Sequence, residues 1–190
     1  AALIQFTGGT TGLPKGALLT HGNVVAATLQ SALWGAHITT CTPPEKRNVL
    51  GIIPYFHIYG NTCCMNWGML SAATQVLVPR FDIDEVLGTI KRVDQITYFP
   101  TVPTMITAII NHPKAAEMNL DQRFRFFNSG GAPMPAELIQ KVKDLGIFFG
   151  EGWGMSETAS LGISNPILAC RTGSIGVPLM ENDVRLVNIE

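Results

Sequence analysis

Short apolar runs alternate along this chain with longer amphipathic ones, and that alternation limits the folds open to it more than any other feature. Leu3 to Phe6, Val49 to Ile53, Gln75 to Val78, Ile96 to Phe99, Arg125 to Asn128 and Ile147 to Phe149 are too short for helices and read as buried strands. Helical patterns lie between them. Thr20 caps one from about His21 to Gly35, with Val24, Leu29 and Leu33 among its apolar positions. Asn61 to Leu70 reads as another. Asp82, with Glu85 three residues on, gives a capping-box pattern for a helix reaching about Val93, with Ile83, Val86, Leu87 and Ile90 on one face. Thr101 to Asn111 carries Pro103 in its first turn, where a missing N–H costs nothing, and Pro135 opens a helix to Leu145. Val184 to Val187 begins a further strand. The order predicts an α/β fold with a mainly parallel β-sheet flanked by helices. From Phe6 onward the strands hand over to Gly- or Pro-marked turns at their C-terminal ends, which is where open α/β sheets hold ligands.

With 190 residues, 46% hydrophobic and 14% charged, the chain suits one domain or one lobe of a larger one, and disorder is excluded. A net charge of -1, with no basic block and no interleaved aromatics, excludes a nucleic-acid partner, because a phosphate backbone demands clustered positive charge. No apolar run is long enough to span a bilayer. The opening at Ala1, mid-strand and without Met or signal peptide, gives the expectation of a piece of a longer chain. Cys41, Cys63, Cys64 and Cys170 match neither a zinc spacing nor Cys-x-x-Cys, so they are expected to be inert core thiols in a reducing cytoplasm.

The most specific chemical signal is Thr7-Gly8-Gly9-Thr10-Thr11-Gly12-Leu13-Pro14-Lys15-Gly16. Its glycines let backbone N–H groups turn onto phosphate oxygens, its threonines add hydroxyl donors, and Lys15 adds a mobile positive charge. It is not the P-loop of the common NTPases, since Pro14 precedes the lysine and no Ser or Thr follows it. A plain turn has no use for three Thr and a Lys.

This run resembles the phosphate-binding signature of the acyl-adenylate-forming superfamily, which includes acyl-CoA synthetases, peptide-synthetase adenylation domains and firefly-type luciferases. Gly8 stands where that family usually has Ser or Thr. Pro54-Tyr55-Phe56-His57-Ile58-Tyr59-Gly60 is similar to its second core motif, whose His lies beside the acyl carboxylate; alone, His57 reads equally as a satisfied turn histidine. Ser129-Gly130-Gly131-Ala132-Pro133 falls where the family seats adenine and ribose, so Gly131, Ala132 and Pro133 are carried over. By itself it reads as a tight strand-to-helix connection.

Glu151-Gly152-Trp153-Gly154-Met155-Ser156-Glu157-Thr158 resembles the family's aromatic-Gly-x-Thr-Glu motif, with Trp153 for the usual Tyr and Ser156 for the usual Thr. An aromatic between glycines can stack on a purine, and a carboxylate in a phosphate site calls for Mg²⁺; a buried Trp with a solvent-facing Glu is the plainer reading. By resemblance, Thr7 and Glu157 hold Mg²⁺ and Thr158 approaches the α-phosphate. Gly173 to Pro178 matches a structural turn.

The resemblance implies a partial AMP-binding (adenylation) N-terminal domain over residues 1–190, with the C-terminal domain and its catalytic Lys outside the chain. The implied activity is ATP-dependent conversion of a fatty acid to an acyl-adenylate and then to a coenzyme A thioester, with an aryl acid such as coumarate, or another adenylation branch of the superfamily, as runner-up. A nucleotide-binding module without chemistry is the alternative from another class. The implied catalytic residues are Lys15, His57, Glu157 and Thr158. Trp67, Met69, Leu70, Val102, Met105 and Ile106 are expected to line the acyl pocket. The partners are then a carboxylic acid, ATP and coenzyme A, with a peripheral membrane contact of the parent and a homodimer left open, and the isolated piece is expected to be inactive.

Overall fold

The computed structural model describes residues 1–7 and 12–188. Strands β1 (Leu3–Thr7) and β2 (Lys15–Leu19) form an antiparallel hairpin with Thr7 opposite Lys15. β1 forms where the sequence predicts a strand, whereas β2, with Gly16 inside it, carries little strand signal and pairs with β1 alone among the described residues. Helix α1 (His21–Trp34) starts at Thr20, whose hydroxyl accepts from Asn23 N–H while the Asn23 side chain accepts from Thr20 N–H. Helix α2 (Ala36–Thr40) follows directly.

The sheet is then assembled from β3 (Asn48–Gly51), a π-helical turn at Gly60–Asn66 leading into α3 (Trp67–Leu70), β4 (Thr74–Leu77), α4 (Ile83–Arg92), β5 (Phe99–Thr101) and α5 (Pro103–Ile110). A short α6 (Leu120–Arg123) precedes β6 (Phe126–Ser129), and α7 (Ala136–Asp144) precedes β7 (Phe148–Met155). Strands β8 (Ser160–Ser164) and β9 (Val177–Pro178) complete it. β4 and β3 are parallel, a parallel bridge from Val49 to Tyr98 joins β3 to the approach of β5, and β5, β6 and β7 continue in parallel. Beyond β7 the pairing turns antiparallel through β8 and β9, so the sheet is mixed. Asp82 caps α4 by accepting from Glu85 N–H, as its spacing predicts.

Alternation along the strands covers both faces of the parallel part, as helices on both sides require. Phe99, Phe124 and Phe127 point to one face and pack with Val86, Ile90, Ile106, Ile109 and Ile139 from α4, α5 and α7. Their ring centroids lie 4.7 to 5.7 Å apart, within the range of favourable aromatic pairs. Tyr98 and Phe126 point to the other face, stacked at 5.5 Å, and meet Cys63, Cys64 and Trp67.

The strand expected at Val184 to Val187 does not form: residues 182–188 pair with no strand, and Leu186 and Val187 are exposed. An apolar run without a sheet edge beside it has nothing to bond its backbone to. The cysteine expectation is corrected in part. Cys63 and Cys64 are buried, and burial pushes both thiols up, but Cys41 is exposed and Cys170 half-buried. Among the described residues no helix is long and apolar enough to cross a membrane.

Candidate functional site

The C-terminal ends of the strands converge on a cleft of about 370 Å³. Thr7 reaches it from the end of β1, His57 to Tyr59 from the turn after β3, Gly130 and Gly131 from the turn after β6, Gly152, Gly154 and Met155 from the second half of β7, and Ser156 and Glu157 from the turn that follows it. Four segments far apart in sequence therefore share one lining.

β7 does two jobs. From Phe148 to Glu151 it is parallel to β6, and from Gly152 to Met155 it is antiparallel to β8, with a register shift between Trp153 and Gly154. Gly154 is obligatory at that bulge: a Cβ there would stand 1.6 Å from the Ser160 carbonyl oxygen. Alternation carries Trp153 off the lining; its indole packs beside Gly162 and is 42% exposed.

The connection after β7 is tied down locally. The Thr158 hydroxyl accepts from Met155 N–H at 3.0 Å and donates to the Ser160 carbonyl at 2.8 Å. Ala159 and Ser160 both adopt positive φ, 54° and 109°, an arrangement side chains resist and surroundings must impose. Part of that imposition comes from Thr62, whose buried hydroxyl donates to the Ala159 carbonyl at 2.9 Å. The result is an exposed Glu157 on a fixed turn, with no ion-pair partner among the described residues.

His57 is oriented by its own backbone. Nδ1 accepts from Tyr59 N–H at 3.1 Å, so a neutral imidazole carries its proton on Nε2. The loop is also held from the hairpin, where Gln5 donates to the Phe56 carbonyl at 3.0 Å. Gly60 lets the π-helical turn start hard against this loop, since a Cβ would lie 2.4 Å from the Pro54 carbonyl oxygen. Tyr59 forms part of the cleft wall: its hydroxyl donates to the Asn128 carbonyl at 2.6 Å and accepts from Thr101 N–H at 3.3 Å. Burial raises that phenol well above its ordinary range, so it stays a donor.

Of the residues singled out from sequence, Thr7, His57, Gly131, Gly152, Gly154, Met155, Ser156 and Glu157 line the cleft. Gly8, Gly9, Thr10 and Thr11 lie outside the described residues. Gly12, Lys15, Ala132 and Pro133 are exposed and not part of the lining; Lys15 is held across the ladder from Thr7, whose hydroxyl donates to its carbonyl at 3.2 Å. Glu151 is buried, and its Oε1 accepts from Met134 N–H at 2.9 Å, pinning the Gly131-to-Pro133 turn from beneath. The residues expected along the acyl stretch divide. Trp67 and Ile106 are buried in the two cores, Met105 packs half-buried against the core of Ile106, Met69 and Leu70 are exposed elsewhere, and Val102 alone approaches, its Cγ1 3.9 Å from where a Gly131 Cβ would be. The apolar walls come instead from Ile58, Tyr59 and Leu161. Ser160 and Leu161 escape sequence reading because nothing in a short β-run announces a positive-φ turn.

The donor set fits a nucleotide with Mg²⁺. Gly131 is open with φ 78°, leaving room for a flat group against the backbone. No group of three His, Cys, Asp or Glu able to hold a metal exists among the described residues. Thr7 and Glu157 both line this cleft, and a hydroxyl with a single carboxylate suits an ion that keeps most of its shell as water and phosphate oxygens.

The chain is similar to known proteins along its whole length. Residues 1–190 match the family model described as AMP-binding enzyme. The chain is 36% identical to a long-chain-fatty-acid–CoA ligase of Bacillus subtilis (strain 168), over 100% of its own length and 33% of that protein. It is 35% identical to a feruloyl-CoA synthase of Amycolatopsis sp, over 97% of the chain and 36% of that protein. Among solved structures, O-succinylbenzoate coenzyme A synthetase from Bacillus subtilis in complex with ATP and magnesium ion superposes with a TM-score of 0.75 at 28% identity, covering 93% of this chain and 35% of that one. The chain thus spans about a third of the length of the relatives it matches. Its α/β fold is that of the N-terminal domain of adenylate-forming enzymes, and the chain belongs to the AMP-binding enzyme family.

Proposed function

We propose that the full-length protein activates a carboxylic acid with ATP and passes the acyl group to coenzyme A, and that the acid is a medium- or long-chain fatty acid. The observation that carries the reading is the convergence of Thr7, His57, Gly131 and Glu157 on one cleft from four separate segments.

A carboxylate is deprotonated at neutral pH, so the reaction needs alignment and charge neutralisation rather than a general base. The carboxylate oxygen forms a bond to the α-phosphorus, the bond to the bridging oxygen breaks, and pyrophosphate leaves with the electron pair. His57 Nε2–H donates to the free carboxylate oxygen and holds the attacking one in line. Gly131 gives the adenosine a surface to lie on, and Thr7 and Glu157 would hold Mg²⁺, which supplies positive charge to the phosphates. The walls at Ile58, Tyr59 and Leu161 exclude water from the mixed anhydride. The coenzyme A thiolate then attacks the acyl carbon and AMP leaves.

Support for a fatty acid comes from the apolar wall residues and from the 36% identity to the Bacillus subtilis ligase. An aryl acid is the second reading, favoured by the 35% identity to feruloyl-CoA synthase. ATP–pyrophosphate exchange by the full-length protein against fatty, aryl and amino acids tests both. Exchange rising with chain length is the expected result; exchange with aryl acids alone replaces the substrate, and exchange with no acid overturns the activity.

A further inference from the structure

A second cleft, of about 840 Å³, opens at the other end of the sheet, where β3, β4 and β6 begin. It shares no lining residue with the first. Lys46, Arg92, Arg123 and Arg125 line it, against the acids Glu45 and Asp94, and none of these six makes an ion pair among the described residues. Two of the cations have structural partners. Arg123 donates to the Val93 and Asp94 carbonyls, and Arg92 sits in the last turn of α4 with its guanidinium on Thr89 Oγ1. The nearby Arg47 is likewise satisfied by three carbonyls.

Arg125 is different. Its backbone is locked in the middle of the sheet, with N–H donating to the Ile96 carbonyl and C=O accepting from Phe148 N–H. Its side chain is half-buried, and Nε is buried with no hydrogen-bond partner. A guanidinium cannot shed its charge, and no acceptor meets this one among the described residues, so its outer nitrogens are left for a ligand in the cleft that Arg125 lines. Side chains from three strand entries meet here with two more cations than acids.

We propose that this cleft binds a phosphate group as its dianion, with Arg125 as the forked donor and Lys46 as the mobile second charge. Two excess positive charges match a dianion, and a planar fork meets two phosphate oxygens at once. Such a phosphate comes either free, as inorganic phosphate or pyrophosphate, or carried on a nucleotide; both present the same oxygens to Arg125.

The test is a ³¹P NMR titration of the full-length protein with inorganic phosphate, repeated on Arg125→Met and Lys46→Met. Saturable binding that each variant weakens by about tenfold or more is expected, the loss of one charge-assisted contact. Competition by pyrophosphate or by AMP then identifies the source, and either supports the site. Lys46 is exposed, so Lys46→Met keeps the test meaningful if Arg125→Met unfolds, which the melting curve reports. No saturable binding, or wild-type affinity in the folded variants, overturns the proposal. The outcome is independent of which acid the first cleft activates.

Discussion

Replacing Gly154 by Ala tests the link between the β-bulge and the chemistry. The added Cβ would lie 1.6 Å from the Ser160 carbonyl oxygen and 2.5 Å from its carbonyl carbon, both backbone atoms that no rotamer change can move. Bringing the closer contact to 3.0 Å demands a separation of roughly 1.4 Å between β7 and the Ala159–Ser160 turn. That turn ends the short segment carrying Glu157, so the carboxylate moves with it. A misplacement near 1 Å in a reacting constellation costs on the order of 100-fold in rate, whereas overpacking costs about 1–3 kcal/mol in stability. Gly162→Ala is the matched control, since its Cβ meets Trp153 at an ordinary 3.6 Å. Pyrophosphate exchange and thermal melting of the full-length protein would be measured together. The expected result is a folded Gly154→Ala protein with exchange reduced about 100-fold, beside a Gly162→Ala protein close to wild type. Exchange within about threefold of wild type in Gly154→Ala would refute the idea that the bulge sets the position of Glu157.

Other perturbations separate binding from support. Glu157→Gln should lower exchange on the order of 100-fold or more, the scale of losing a positioned charge, while leaving the melting temperature unchanged because the side chain is exposed; a Mg²⁺ titration of exchange should show a raised requirement. Glu151→Gln retains an acceptor for Met134 N–H and should be nearly neutral in melting, whereas Glu151→Ala orphans that buried N–H and should cost about 1–3 kcal/mol. Alkali should unfold the protein. Burial raises the Cys63, Cys64, Tyr59 and Tyr98 groups and pushes Tyr55 up to about 12, so the folded state holds these protons more tightly than the unfolded one. Their contribution is complete below the ordinary thiol value of 9.0 and is lost as pH rises from there toward about 12. Melting temperatures level to pH 9 and falling steadily above it are expected; a flat profile to pH 12 would contradict the burial assignment.

Much of the architecture was readable where a local device announces it. Thr20 and Asp82 cap their helices, Pro103 opens α5, and the phenylalanine-rich runs become strands whose alternate residues fill two cores. What escaped depends on partners distant in sequence. β2 and β8 contain glycine and few β-branched residues, and each forms because another strand lies alongside. The π-helical turn depends on the close approach of Gly60 to Pro54, and no periodicity encodes it. Val184 to Val187 failed for the converse reason, having composition but no neighbour. In the cleft, the motifs identified which segments meet, because their residue types suit phosphate and carboxylate chemistry. They did not say which side chains within each segment face inward. The alternation on β7 turns Trp153 away, and the Met134 N–H draws Glu151 beneath the turn.

A strand that changes its pairing sense midway also concentrates constraint at one residue. β7 pairs in parallel with β6 up to Glu151 and antiparallel with β8 from Gly152 onward, so the sense of pairing changes within one strand of one sheet. The carboxylate bond from Glu151 to Met134 anchors that point to the lead-in of α7. The Glu151 carbonyl in turn accepts from Asn165 N–H at 2.9 Å, so one residue is tied to the lead-in of α7 through its side chain and to the end of β8 through its backbone. The lining from Gly152 to Glu157 therefore starts from a residue held on two sides, and the geometry of the cleft is inherited from the sheet rather than from the loop.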